Sequence, residues 1–413
     1  GRGNIEIWSR AAMAETPPLE PVDYDNLVEE NQGADYLIIT HPLFREEAER
    51  LAEYRRAGGL RVRVTSIQNV YDAFSNGEQN PEAIRDLLAY SLHHWRGGAP
   101  DCVLLVGDCS NDYLNIARKG VRNWVPTYTY TVGSDHWASD YWMTTVAGED
   151  YLGDFMIGRL SVANREDATA VVDKIIDYDE NPRPGPWRAR LGYVADNGEF
   201  TATIRDIRSE DTPGAYDSAQ MLLDNQPLED NWYLLKVYVE RKGMKVSRTA
   251  TDGILGLFRE GVSYLTYYGH GSPNIWSDER IWFGGDTPNS DNQHLAGLGY
   301  YAFVSNMTCN TGTIDYPMPP WNICITEDMM RVPGGGAVAC FVPSGPGVTS
   351  IHRHMSDQLR RVMFEDDHVR DLGEITTLAR LRYALNLFPR DLLYMYVLLG
   401  DPATRLQMTQ DWT

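Results

Sequence analysis

The 413 residues predict an α/β chain of two units in series, each a mostly parallel sheet flanked by helices. Short apolar runs alternate with longer amphipathic stretches, the rhythm of repeated βα units. Several runs, such as 102–106 and 336–342, are apolar without a break, as strands covered on both faces are. Between the halves stands Asn181-Pro182-Arg183-Pro184-Gly185-Pro186, whose prolines no regular element tolerates.

Residues 1–33 are polar, carry Pro17, Pro18 and Pro21, and read as an N-terminal arm. The first unit, 34–180, has expected strands at 35–40, 60–65 and 102–106. Its first helix, 44–56, places Phe44, Ala48, Leu51 and Tyr54 on one face and closes at Gly58-Gly59; a second, 81–94, takes Pro81 in its first turn. Residues 110–150, rich in Asn, Asp, Tyr and Trp, read as long loops with an irregular hairpin. A strand at 154–159 and a helix at 165–178 resume the rhythm. After the linker, 181–187, the second unit, 188–413, has expected strands at 190–195, 232–240, 262–268, 300–306 and 336–342. Its helices are expected at 208–224, 251–259, 322–331, 350–365 and 371–387. An apolar run at 392–399 and Gly400-Asp401-Pro402 close the chain.

Lys and Arg number 37 against 58 Asp and Glu, a net charge of −21. That balance argues against a nucleic-acid binder or a polybasic membrane surface, since phosphates are held by clustered cations. Apolar runs fall short of the ~20 residues that span a bilayer, so no transmembrane segment is expected. The chain starts Gly1-Arg2-Gly3 without Met, which reads as a processed or engineered start. Its five cysteines, Cys102, Cys109, Cys309, Cys324 and Cys340, form no CxxC and no disulfide framework. Cys324 and Cys340 are expected to be structural. Nine histidines include no HExxH. The acidic loops at 108–112, 135–150 and 286–291 suit a structural calcium ion better than zinc, without an EF-hand spacing.

Two strands of the second unit end in polar signatures, Tyr268-Gly269-His270-Gly271-Ser272 and Asn306-Met307-Thr308-Cys309-Asn310-Thr311-Gly312. Loops beyond strand carboxyl ends form the ligand crevice of open α/β sheets. A His and a Cys brought to that edge can act as base and nucleophile, and a nearby imidazolium favours the thiolate. Glycines at 269 and 271 let a substrate main chain approach. The amides of Gly271 and Cys309 are then candidates to hold an oxyanion. On residue types alone, a buried structural thiol and a turn histidine stay open. The aromatic residues Trp124, Tyr128, Tyr130, Trp137, Tyr141 and Trp142 read equally as cleft lining or as the core of an irregular subdomain.

Taken in order, these motifs resemble the gingipain family of cysteine peptidases, within the caspase-like fold clan. The resemblance covers most of 35–402. It includes Val103-Leu104-Leu105-Val106-Gly107-Asp108, Asp154-Phe155-Met156-Ile157-Gly158-Arg159-Leu160-Ser161, the histidine motif with Trp276 beyond it, Cys309-Asn310-Thr311-Gly312, Glu327 in its helix, the Gly-rich entry at 334–342, and Leu399-Gly400-Asp401-Pro402. It implies Cys309 as nucleophile, His270 as general base then acid, and Asp154 as the acidic residue that orients the imidazole. Asp154 lies in the first unit, so both units would contribute to one site. The resemblance further implies a peptide or protein substrate, no cofactor for the chemistry, and a P1 pocket that is commonly basic-selective. It points to an extracellular or cell-surface enzyme. The chain departs from the pattern in a His–Cys interval of 39 residues with an inserted loop at 283–293, which shapes the cleft, covers it or binds a partner. No immunoglobulin-like module and no recognisable propeptide are visible, which leaves a cytoplasmic location and a regulatory protein partner open. The expected activity is endopeptidase cleavage through a thioester. The alternatives are a catalytically silent binding module on the same fold and a peptide ligase or transpeptidase using the same thiol. An oxidoreductase is unexpected, because Gly334-Gly335-Gly336 precedes a strand whereas a dinucleotide fingerprint follows one.

Overall fold

The structure is a computed structural model that describes residues 25–116, 123–196, 233–238, 248–316, 323–365, 368–386 and 389–408. The first half holds strands β1 (Tyr36–Thr40), β2 (Val62–Ser66), β3 (Cys102–Val106), β4 (Tyr128–Val132), β5 (Asp135–Ser139) and β6 (Met156–Leu160), with helices α1 (Arg45–Ala57), α2 (Ile67–Phe74), α3 (Glu82–His94) and α4 (Arg165–Glu180). The second half holds β7 (Arg190–Ala195), β8 (Tyr233–Tyr238), β9 (Tyr264–Tyr268), β10 (Gly271–Ser272), β11 (Ile275–Trp276), β12 (Trp282–Phe283), β13 (Ala302–Met307), β14 (Ala337–Pro343) and β15 (Tyr396–Leu399). Its helices are α5 (Arg248–Glu260), α6 (Ile325–Arg331), α7 (Thr349–Arg360), α8 (Leu372–Leu385) and α9 (Asp391–Met395).

Most expected elements stand within a few residues of their predicted places. The expected helix at 208–224 lies outside the described residues. Helix α2 is an addition: it follows β2 directly, and Ser66 caps it by accepting from the amide of Gln68. The apolar run at 392–399 divides into α9 and β15, because Tyr396 begins a sheet pairing that the preceding turn cannot make. Within the linker, Pro186–Ala189 form a short 3-10 turn that buries Trp187.

Among the described residues, ten strands form one sheet in the order β2-β1-β3-β6-β15-β14-β13-β9-β7-β8. All neighbours run parallel except β14 and β15. That single antiparallel pair reverses the sheet, so the carboxyl ends of β7, β9, β13 and β14 share an edge with the amino end of β6. The β4–β5 hairpin stands off this sheet, and β10–β12 form a small sheet beyond β9. Strand alternation sends neighbouring residues to opposite faces. Ile38, Leu104 and Val106 pack with Leu51, Val172 and Ile175, whereas Leu37, Ile39, Val103 and Leu105 pack with Ile84, Leu87 and Leu88.

The closing motif fastens the seam between β6 and β15. The Asp401 carboxylate accepts from Tyr36 at 2.6 Å and from Arg55 at 2.7 and 2.9 Å. A Cβ on Gly158 would lie 2.3 Å from the Gly400 carbonyl, so only glycine lets β6 approach. Arg159 is buried and paired to Asp140 at 2.7 and 2.8 Å. Its other N–H groups donate to the carbonyls of Gly107, Val125 and Pro126. A buried guanidinium so enclosed orders the irregular segment around it.

Candidate active site

Strands β9 and β13 lie side by side in parallel register, with Tyr268 opposite Met307. His270 and Cys309 each follow their register partner by two residues. The loops touch: a Cβ on Gly271 would lie 2.4 Å from the Thr308 hydroxyl and 2.9 Å from the Cys309 carbonyl. Helix α6 grips both loops, through the Ile325 amide donating to the Pro273 carbonyl at 2.6 Å and the Thr326 hydroxyl donating to the Thr311 carbonyl at 2.7 Å.

Cys309 is half-buried, and its neighbour Asn310 has a left-handed φ of 58° that turns the chain away from the strand. The sulfur meets Gly347 twice: the Gly347 amide donates to Sγ at 3.3 Å, and the thiol donates to the Gly347 carbonyl at 3.2 Å. The other four thiols are pushed up by burial, Cys102 to about 12. Cys324 starts α6 and Cys340 lies in β14, both buried, as structural cysteines do. His270 is exposed. Its main chain is fixed, the amide donating to Asp196 at 3.1 Å and the carbonyl accepting from the Tyr267 hydroxyl at 2.6 Å and the Ser277 amide at 2.8 Å. Tyr267 stacks on buried Trp276 with ring centroids 4.6 Å apart. Gly269, at a φ of 152°, passes Asp196 where a Cβ would lie 2.2 Å from the aspartate Cβ.

Asp154 stands just before β6, at the same sheet edge. Its carboxylate accepts from the amides of Val146 and Ala147 at 2.9 and 2.8 Å, and among the described residues no bond joins it to His270. Four strand steps separate β6 from β9, roughly 19 Å at about 4.8 Å per step. The carboxylate that touches the histidine loop is Asp196, at the end of β7. Its sequence signal was its place directly after the apolar strand 190–195.

Beside Cys309 lies a cleft of about 480 Å³, lined by Asn310, Thr313, Asp315, Ser344 and Pro346 of the second half and by Asn111, Asp135 and His136 of the first. The first half therefore reaches the site through the β4–β5 hairpin and the 110–116 segment. Asp315 is buried, and burial pushes its carboxyl up to about 6. Its Oδ2 has no hydrogen-bond partner among the described residues. Asp315 and Gly347 are marked by neither residue type nor period in the sequence. The expected aromatic cluster is mostly packing: Tyr128 stacks on Trp142, and Tyr130 on Tyr394. The inserted loop at 283–293 is clamped to α6, with Asp328 accepting from the Gly285 amide at 2.9 Å, the Ser290 hydroxyl at 2.5 Å and the Asn292 side chain at 2.9 Å.

Among the described residues no group of three or more His, Cys, Asp or Glu is placed to hold a metal, and no helix is long and apolar enough to cross a membrane. Asp108, in one of the acidic loops, is bound to Arg331 at 3.0 Å and to the Ser161 hydroxyl at 3.1 Å.

Residues 29–407 match the model of peptidase family C25. Gingipain R1 and gingipain R2 of Porphyromonas gingivalis are each 23% identical to the chain over 320 residues, 75% of its length. The match spans 27% of that gingipain R1 and 36% of that gingipain R2, so the chain corresponds to a part of each relative. The crystal structure of the Arg-specific cysteine proteinase gingipain R superposes with a TM-score of 0.69 at 19% identity, covering 92% of this chain and 79% of that one. The complex of Porphyromonas gingivalis RgpB pro- and mature domains gives 0.67, at 19% identity and 90% and 79% coverage. The fold is thus the caspase-like one of gingipain R.

Proposed function

Because the chain belongs to peptidase family C25, we propose that it is a cysteine endopeptidase with Cys309 as nucleophile and His270 as general base and then acid. The observation that carries this reading is the register pair Tyr268–Met307, which delivers both residues to neighbouring loops at one sheet edge. His270 takes the thiol proton, and the thiolate attacks the scissile carbonyl carbon. The amides of Gly271 and Cys309 are the proposed oxyanion donors. His270 then protonates the leaving amine as the C–N bond breaks, and water, deprotonated by His270, cleaves the thioester to restore the thiol. For the acid that steadies His270, the family resemblance names Asp154, and the bond to the histidine loop favours Asp196.

The cleft beside Cys309 is the proposed P1 pocket. Asp315 at its wall suits a cationic side chain, the preference carried in the description of gingipain R as Arg-specific. A pro-domain partner and an extracellular or surface location are proposed by likeness to the gingipain relatives. A structural calcium ion is not required by these steps.

The test is cleavage of a P1-diverse fluorogenic peptide library under reducing conditions, with and without calcium, by the native chain and by Cys309→Ala. Cleavage by the native chain alone, strongest at basic P1, is expected. Equal cleavage by Cys309→Ala would remove the nucleophile from this reading. Product masses with added amine separate hydrolysis from ligation.

A further inference from the structure

Behind Cys309 lies a second histidine. His352 sits in the first turn of α7 and is 2% exposed. Its Nδ1 is 2.8 Å from the Tyr396 hydroxyl. That hydroxyl also lies 3.3 Å from the Asn306 carbonyl and 3.3 Å from the Met307 sulfur. Nε2 has no hydrogen-bond partner among the described residues. It faces Gly347, where a Cβ would lie 2.1 Å from Nε2 and 2.6 Å from Cε1 of the ring.

We propose that His352 is a positioning residue for the nucleophile: its ring backs Gly347 and sets that residue's main-chain N–H and C=O against the sulfur of Cys309. The inference rests on the reading of Cys309 as the nucleophile. The contacts form a closed circuit. Asn306 and Met307 precede Cys309 on β13, Tyr396 bonds to Asn306, His352 bonds to Tyr396, and Gly347 is held between the imidazole and the sulfur. The position of Gly347 is therefore referenced to the same strand that carries the nucleophile. Its N–H favours the thiolate, because a donor to the charged form lowers its cost. Its carbonyl receives the thiol proton until His270 removes it. Burial lowers the His352 imidazole to about 4, so the ring stays neutral at ordinary pH and adds no charge behind the sulfur. Gly347 is absent from the positive-φ positions, so alanine there meets the ring and no backbone penalty of its own.

The experiment uses the full chain and two readouts: steady-state cleavage, and the pH midpoint of iodoacetamide alkylation at Cys309 read by peptide mass. Gly347→Ala is expected to lower kcat about 10²-fold with little change in KM, as small misplacements of reacting groups do, and to raise the alkylation midpoint. His352→Ala is expected to do the same. The double variant Gly347→Ala/His352→Ala, which makes room for the new methyl, is expected to recover at least about tenfold over Gly347→Ala. His352→Phe keeps the flat wall and is expected to keep the native alkylation midpoint even where it lowers the melting temperature. A double variant no better than Gly347→Ala, or a native midpoint in both single Ala variants, overturns the proposal. Alkylation needs no turnover, so this failure is separable from retained cleavage by Cys309→Ala, which would overturn the peptidase reading instead.

Discussion

Gly271 lies against Cys309 so closely that no side chain fits between them: a Cβ would stand 2.9 Å from the Cys309 carbonyl and 2.4 Å from the Thr308 hydroxyl. The histidine motif and the cysteine motif are therefore one packed unit. Gly271→Ala is expected to push the two loops apart and to cost about 10²-fold in kcat, with the fold retained by circular dichroism. A variant with native kcat would show that the two loops need not touch for catalysis.

The two candidate acids separate by substitution. Asp196 holds the amide of His270, while Asp154 holds the amides of Val146 and Ala147. Asp196→Ala is expected to lower kcat by one to two orders of magnitude, roughly the range for loss of a supporting group. Asp154→Ala is expected to act on stability, by about 1 kcal/mol, since its bonds are exposed. Paired kinetics and urea melts decide the matter, and the reverse order would return the orienting role to Asp154.

Asp315 gives the proposed P1 pocket a pH signature. Its folded carboxyl keeps its proton up to about 6, whereas an unfolded aspartate releases it near 3.9. The folded state binds more protons in that window, so this group's contribution to stability falls as pH rises from about 4 to 6. Binding of a cationic P1 side chain gains over the same rise, because the carboxylate forms. For a basic P1 peptide, kcat/KM should climb through about pH 6, and Asp315→Asn should flatten that limb and lower the plateau. An unchanged profile would place the P1 contact elsewhere.

Glu327 ties the halves together from beneath the site. Its carboxylate accepts from the Ser161 hydroxyl at 2.6 Å and the Cys324 amide at 2.8 Å, close to Arg331 and Asp108. Burial, then the charge of Asp108, raises its pKa above the usual carboxylate range. The folded state therefore retains a proton that the unfolded chain loses, and stability from this group declines as pH rises above the ordinary glutamate value. Glu327→Gln, which mimics the protonated acid, should keep the fold and reduce that decline in urea melts at pH 5 and 8. Glu327→Leu should cost about 1–3 kcal/mol, because the Ser161 hydroxyl and the Cys324 amide lose a buried acceptor. Equal melts for both would show that the cluster contributes no specific pairing.

Strand positions were legible from local pattern because burial on both faces of a sheet leaves continuous apolar runs, as in β3 and β14. The placement of His270 and Cys309 at strand ends was legible because each follows such a run with glycine and polar residues beyond it. Asp401 and Arg159 were visible as motif residues; the structure shows Asp401 tying the closing segment to Tyr36 and Arg55, and Arg159 ordering the segment around Asp140. The sequence could not rank Asp154 against Asp196, or mark Gly347, His352 and Asp315 as neighbours of the site. Those relations depend on strand order: β7 lies next to β9, while β6 lies four places away. Periodicity reports which face of an element is buried, and it carries no record of which element lies beside it. That order is decided only when the β14–β15 reversal joins the two halves into one sheet and brings their loops to a common edge.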